Sequence, residues 1–306
     1  MAWAGYHHPM YSYRHAFHAG NHADVLKHIT LLATLRHLMR KPTGLLLVDT
    51  HAGAGLYRLD SEATRKAAEA QDGILKLRAA LASRSEPLPE ALKDYLDLLA
   101  ELNPQGGLRQ YPGSPFLMHR LLRHEARDRL KLFEMHPTDV QALAAHVAQL
   151  QAGRTVQVTR EDGFAGLRSL LPPPPGPSGS RRAMVLIDPS YEIKTDYAKV
   201  QEAVEDALRR FATGTYVVWY PIIPRPEAHS LPKRLRTLAQ QTGKAWLHAH
   251  LAIGRSSEHE GGLSASGMVV INPPHTLAGQ LREALAVVGP ILARGAGQGW
   301  GVEHGG

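Results

Sequence analysis

Apolar, β-branched runs recur along the chain at Gly44–Asp49, Leu130–Glu134, Thr155–Thr159, Ala183–Asp188, Thr215–Tyr220, Ala245–Leu251 and Met268–Asn272. Most are continuous rather than alternating, which is the pattern of strands buried on both faces of a largely parallel sheet. Stretches with helical periodicity separate them. His22–Arg40 carries Val25, Ile29, Leu32 and Leu35 behind a candidate N-cap at Asn21, and Pro137–Leu150, Thr195–Phe211, Pro226–Gln241 and Thr276–Leu292 follow. Strand and helix alternate from Gly44 onward, so right-handed βαβ crossovers are expected, and with them a doubly wound α/β sheet of seven strands covered by helices on both faces.

One interval breaks the rhythm. Residues 50–129 separate the first two strands, where a crossover needs only about a dozen residues. Within that interval Ser61–Ala82 and Glu90–Leu102 have helical periodicity and are joined around Pro87 and Pro89. They predict a helical insertion, either reaching toward a large substrate or acting as a structural lid. The expected organisation is 1–57 as the N-terminal segment and first strand, 58–108 as the insertion, and 109–306 as the rest of the sheet domain. Leu171–Gly179 (LPPPPGPSG) reads as a stiff surface segment of polyproline type before a strand.

Composition narrows the classes. The 306 residues are 43% hydrophobic and 21% charged, as in folded globular chains and unlike disordered ones. Cysteine is absent, which removes disulfides, thiolate metal sites and cysteine nucleophiles. No apolar run reaches the roughly 18 to 20 residues of a membrane span, and Met1–Arg14 has no signal-peptide core, so a cytoplasmic location is expected. Lys plus Arg (35) exceed Asp plus Glu (28) for a net charge of +7, which favours a polyanion such as nucleic acid as partner.

Candidate chemistry gathers at strand ends. The first strand closes with Asp49 and runs into Thr50-His51-Ala52-Gly53-Ala54-Gly55, a small-residue turn that lets the backbone approach a nucleotide-like cofactor. The spacing is not G-x-G-x-x-G, and such a turn also serves ordinary strand-to-helix packing. Glu134 ends the second strand, where a carboxylate can accept from ribose hydroxyls, and Asp162-Gly163 follows the third, where the chain can pass an adenine edge. The fourth strand ends in Asp188-Pro189-Ser190-Tyr191. The amine of a nucleobase is a poor nucleophile until its hydrogens are held and its nitrogen is positioned; a carboxylate and a backbone carbonyl can accept both hydrogens while an aromatic ring stacks on the base. Asp188, the Pro189 carbonyl and Tyr191 could supply these three elements, and a strand-ending Asp-Pro turn is the simpler alternative.

That tetrapeptide resembles the Asp/Asn-Pro-Pro-aromatic motif of class I S-adenosylmethionine-dependent amino-methyltransferases. The whole chain resembles more closely the RlmJ family of bacterial 23S ribosomal RNA adenine-N6 methyltransferases. The resemblance runs from about residue 11 to about residue 295 through Tyr13-Arg14-His15, Phe17 to His28, Asp49 to Gly55, Tyr111 to Pro115, Asp162-Gly163-Phe164 and Phe211 to Tyr216. It implies a Rossmann-like fold with a helical insertion after the first strand. It implies that His28, His51, Ser114, Glu134, Asp162 and Gly163, with Gly53 in the turn, surround S-adenosylmethionine, that Asp188 is catalytic, and that Tyr13 touches the RNA. It points to adenine 2030 of 23S ribosomal RNA. Because the target adenine must leave its stack, naked or partly assembled RNA is the expected substrate, and a monomer is expected.

Ser190 stands where the family pattern has proline. Asn272-Pro273-Pro274-His275 imitates the motif but follows a strand expected to be antiparallel, and is read as a structural turn. Seven of the 18 histidines precede residue 41. His15, His18 and His22 lack a nearby carboxylate pair, so no metal is expected. Arg14, Lys27, Arg36, Arg40 and Lys41, with Tyr11, Tyr13 and Phe17 as stacking rings, favour RNA contact for this region. An adenine-N6 DNA methyltransferase, or an RNA-binding relative impaired by Ser190, are the alternative readings.

Overall fold

Ten strands are present in the computed structural model, which describes residues 17–60, 69–176, 179–255 and 262–306. In chain order they are Leu46–Asp49 (β1), Leu56–Arg58 (β2), Gln110–Pro112 (β3), Arg129–Phe133 (β4), Val156–Thr159 (β5), Ala183–Ile187 (β6), Thr215–Pro221 (β7), Trp246–Arg255 (β8), Ala265–Ile271 (β9) and Ala296–Gly305 (β10). Eight of them form one sheet in the order β10-β8-β9-β7-β6-β1-β4-β5. The block β5-β4-β1-β6-β7 is parallel throughout. Every residue of β6 is buried, as a continuous apolar run between two helical layers requires. The reversal comes at β9, antiparallel to both β7 and β8. The α/β class and the largely parallel sheet agree with expectation.

The expected seven strands become eight in this sheet because β10 joins β8 along its outer edge. Its sequence, AGQGWGVEHG, contains four glycines and no apolar run, so nothing in its pattern announces a strand. The second difference is the hairpin β2–β3, which pairs Leu56 with Pro112 and brings the chain back to where it left for the insertion.

The first helix, His22–Leu38, is capped as expected: the Asn21 side chain accepts from the Asp24 backbone N–H at 3.0 Å. Residues 22–35 are buried on every side. The helix is therefore the inner layer between the sheet and the insertion. The insertion helix Glu90–Glu101 buries Leu92, Tyr95, Leu98 and Leu99 in the same core as Leu26, Ile29 and Leu47. Arg36 reaches across to Asp94 with two nitrogens, so it ties these layers together. The described part of the insertion is thus a packed outer layer.

The helix expected over Ser61–Ala82 lies partly outside the described residues. The rest is a π-helical turn at Gln71–Leu75 followed by an α-helix at Lys76–Leu81. Gly73 leaves helical geometry there because its backbone abuts the start of the first helix: a Cβ would stand 2.2 Å from the Gly20 carbonyl oxygen.

Asn272 joins β9 to the lead-in of β7, donating through Nδ2 to the carbonyls of Ala212 and Gly214 at 3.0 and 2.7 Å. Ile271 pairs with Tyr216 near the start of β7, at the opposite end of the sheet from Asp188. No helix among the described residues is long and apolar enough to cross a membrane.

Candidate functional site

The turns that follow β1, β4, β5 and β6 converge at the carboxyl edge of the parallel block, where open α/β sheets place their ligands. They enclose a cleft of about 370 Å³. His51, Gly53, Ser114, Glu134, Asp162 and Gly163 all line it, together with Lys27, Asp188, Pro189 and Ser190. Six separate stretches of chain, the first helix and the residues that follow β1, β3, β4, β5 and β6, therefore deliver their expected residues to one cleft.

Glu134 ties two of these turns together. Its Oε2 accepts from the Gly53 N–H and its Oε1 from the His136 N–H, both at 2.7 Å. Burial raises its pKa against these two stabilising bonds. Asp162 caps the helix Gly163–Leu170 by accepting from the Phe164 N–H at 2.8 Å. Gly163 lets that helix start against β1: a Cβ would lie 2.1 Å from the Thr50 carbonyl oxygen. The His51 ring meets Phe164 edge-on at 5.0 Å, and its Nδ1 bonds Thr50 Oγ1 at 2.8 Å. Burial lowers its pKa to about 4, so the ring is neutral at physiological pH. Ser114 donates to Asp49 Oδ2 at 2.6 Å. Asp49 is fully buried behind the cleft, and that burial, with the Asp188 charge nearby, lifts its pKa to about 7.

Asp188 leaves the end of β6 and meets Lys27 from the first helix, with Nζ 2.7 Å from Oδ2. The same ammonium is 2.8 Å from Asp24 Oδ1, one turn earlier. Burial works against the charge on Lys27, but Asp188 and Asp24 more than offset it and hold the pKa well above its ordinary value. The ammonium is thus committed to two carboxylates and is not displayed as a surface cation.

A second, smaller cavity of about 180 Å³ opens on the other side of this pair. Lys27, Asp188 and Ser190 line both cavities. Tyr191, Trp219, Pro221, Ile223 and Leu263 supply an apolar wall to the smaller one. The site is therefore two chambers meeting at one ion-paired carboxylate.

Several expected residues lie elsewhere. His28 is fully buried and does not line the cleft; its Nδ1 bonds the Tyr111 hydroxyl at 2.8 Å, and that hydroxyl bonds Tyr95 of the insertion at 2.8 Å. Tyr191 is 2% exposed, its ring centroid 4.5 Å from that of Tyr197 and its hydroxyl donating to the Trp219 carbonyl at 2.7 Å. It is a packed wall of the small cavity rather than a ring presented to the cleft. Tyr13 and Arg14 lie outside the described residues, as do Tyr11 and His15. His18 is bonded to Glu69 at 2.9 Å, and His22 is buried. Among the described residues no group of three or more His, Asp or Glu side chains could hold a metal ion.

Sequence reading missed Asp24 as the second anchor of Lys27, Asp49 as the partner of Ser114, and Arg225, which lines the small cavity. The i, i+3 spacing of Asp24 and Lys27 was available as a signal. The long-range pairs had none.

A family model described as "Ribosomal RNA large subunit methyltransferase D, RlmJ" matches residues 42–303. The chain is 41% identical over 296 residues to ribosomal RNA large subunit methyltransferase J of Haemophilus influenzae, spanning 96% of this chain and 98% of that one. It is 40% identical over 277 residues to the Escherichia coli K12 protein of the same name, spanning 90% and 92%. Among solved structures, protein LPL1258 of Legionella pneumophila superposes with a TM-score of 0.80 at 30% identity, covering 94% of this chain and 98% of that one.

Proposed function

The chain belongs to the RlmJ family of ribosomal RNA large subunit methyltransferases, and from that premise we propose that it methylates the N6 amine of an adenine in 23S ribosomal RNA, adenine 2030 by the family resemblance. The observation that carries this reading is the meeting of two cavities at the Lys27–Asp188 pair. A methyl donor and a nucleobase need separate chambers that share one polar junction.

The larger cleft suits S-adenosylmethionine in size and in donor set, since nucleotide-sized ligands occupy pockets of roughly 300 to 1,000 Å³. Glu134 can accept from ribose hydroxyls with the lone pairs its two backbone bonds leave. Asp162, Gly163 and the His51–Phe164 pair border the place for an adenine ring. Bound there, S-adenosylmethionine supplies a methyl group already activated by its sulfonium, so orientation and charge stabilisation are what the chain must add.

Asp188 and the Pro189 carbonyl accept the two hydrogens of the acceptor amine and turn its nitrogen toward the cleft. A carboxylate offers about four acceptor positions, more than one ammonium uses. Lys27 donates to Oδ2 and sets a positive charge beside the carboxylate. As the new N–C bond forms and the donor's S–C bond breaks, positive charge would grow on the nitrogen and the Asp188 carboxylate would stabilise it, a preorganised electrostatic contribution of the kind that dominates many enzymes; the surplus N–H proton would then pass to solvent, leaving neutral N6-methyladenine. The base must leave its stack to reach this point, which favours unpaired or incompletely folded RNA.

The test is transfer of a labelled methyl group from S-adenosylmethionine to unmodified 23S ribosomal RNA and, in parallel, to duplex DNA, with mass spectrometry of nuclease fragments. One N6-methyladenine in the ribosomal RNA is expected. Label on duplex DNA alone, or on a different atom, would overturn the assignment.

A further inference from the structure

The smaller cavity is built for more than a base. Its apolar side, formed by Tyr191, Trp219, Ile223 and Leu263, matches the face of a heterocycle, and its inner end is the Lys27–Asp188 pair. Two further basic groups belong to its lining: His18, from the turn before the first helix, and Arg225, at the start of the helix Pro226–Gln241. A neutral heterocycle needs neither.

Arg225 is partly exposed and donates one bond, from Nη1 to the Tyr191 carbonyl oxygen at 3.3 Å. It forms no ion pair among the described residues. Arginines elsewhere on the molecule are committed: Arg168, Arg209 and Arg210 gather on Asp206, and Arg294 pairs with Asp72. A guanidinium has five donors in a fixed fork that matches phosphate oxygens, so one bond to a carbonyl leaves most of its capacity unspent. His18 carries a complementary arrangement. Glu69 of the insertion accepts from Asn21 and bonds the His18 ring, each at 2.9 Å, and this contact favours the imidazolium.

We propose that Arg225 receives the RNA backbone at the acceptor cavity, its guanidinium taking the phosphate of the extruded nucleotide while the base enters beside Asp188. The proposal rests on the adenine-N6 reading of the site. Asp188 and Arg225 line the same cavity of about 180 Å³, so a base held beside the carboxylate brings its own backbone into the chamber that the guanidinium borders. The contact also has a mechanical consequence. Arg225 holds the Tyr191 carbonyl, and Tyr191 sits at φ 53° immediately after the Asp188-Pro189-Ser190 loop. A phosphate engaged by Arg225 is therefore linked through one residue to the loop that carries the catalytic carboxylate.

The experiment compares wild type, Arg225→Gln and Arg225→Lys in binding to a 23S ribosomal RNA fragment across a salt series, and in methylation of the same fragment. Loss of one phosphate contact on single-stranded RNA lowers the slope of log affinity against log salt by about 0.7, and a slope reduced by that amount is expected for Arg225→Gln. At one fixed salt its RNA affinity falls about tenfold, the loss appearing in KM for RNA rather than in kcat, with S-adenosylmethionine affinity at the wild-type level. Arg225→Lys restores the slope, because the point charge returns, but not the full affinity, because the fork does not. An unchanged slope for Arg225→Gln, or a loss confined to kcat or to cofactor affinity, would make Arg225 only an anchor of the Tyr191 loop and overturn the proposal. The wild-type arm separates the two levels: no N6-methyladenine from wild type defeats the adenine reading and this one with it, whereas wild-type methylation with an unaltered variant slope defeats the assignment of Arg225 alone.

Discussion

Lys27 and Asp188 are 161 residues apart in the chain and 2.7 Å apart in space, and Asp24 completes a buried line of two carboxylates with one ammonium between them. Such an arrangement is stable only while the cation is present, because two desolvated like charges are left when it goes. Lys27→Met should therefore destabilise the fold by about 3 kcal/mol, read as a lowered urea midpoint at constant m-value. Adding Asp24→Asn to that background should return part of the loss. An unshifted midpoint in the single variant would show that the carboxylates do not depend on Lys27. Asp188 could be picked out from sequence because its motif is four consecutive residues, whereas the lysine that pairs with it comes from a distant helix. Tyr191 illustrates the reverse: the residue type suggested a stacking ring, but its carbonyl, hydroxyl and ring are all engaged in packing.

The parallel strands were readable because burial on both faces leaves continuous apolar runs, as in β6 with Ala183–Ile187 wholly buried. β10 was not, since an edge strand of glycine and polar residues draws its order from the backbone of β8 rather than from its own side chains. The three-residue strands β2 and β3 are too short for any periodicity to register. The first helix showed its existence and cap but not its surroundings: Lys27 was expected to contact RNA and His28 the cofactor, and both are buried, as are His22 and Asp24. How the helix Gly163–Leu170 seats against β1 decides the shape of the cleft proposed for the cofactor. Gly163→Ala would force its Cβ against the Thr50 carbonyl and displace the helix start, since 2.1 Å is far inside contact distance. S-adenosylmethionine affinity should fall at least tenfold by calorimetry; wild-type affinity in that variant would show that the turn yields without consequence.

Burial of histidine couples the whole fold to pH. His22, His51 and His248 all have pKa values lowered to about 4, first by burial. Each folded value lies below the unfolded one near 6.5, so the unfolded chain takes up the proton first as pH falls. Their contribution is fully present above pH 6.5 and is lost between 6.5 and 4. Asp49, raised to about 7, works oppositely, because the folded chain holds a proton that the unfolded one releases above about pH 4. Three protons against one leave a net two, so stability should rise with pH across this window by at most about 2.7 kcal/mol per unit. Melting temperatures measured from pH 4 to 6.5 should climb accordingly, and a flat or falling series would contradict the burial of these rings. The net charge of +7 acts separately, in drawing the protein toward a polyanion rather than in fixing the chemistry. The proposed chemistry rests on Asp188, and the most direct measurement is the single-turnover rate of methyl transfer to 23S ribosomal RNA for Asp188→Asn beside wild type, with S-adenosylmethionine affinity determined on the same samples. A rate lowered at least a hundredfold with cofactor affinity altered only a few-fold is the predicted result. A near wild-type rate, or a loss explained entirely by weakened cofactor binding, would contradict the role given to this carboxylate.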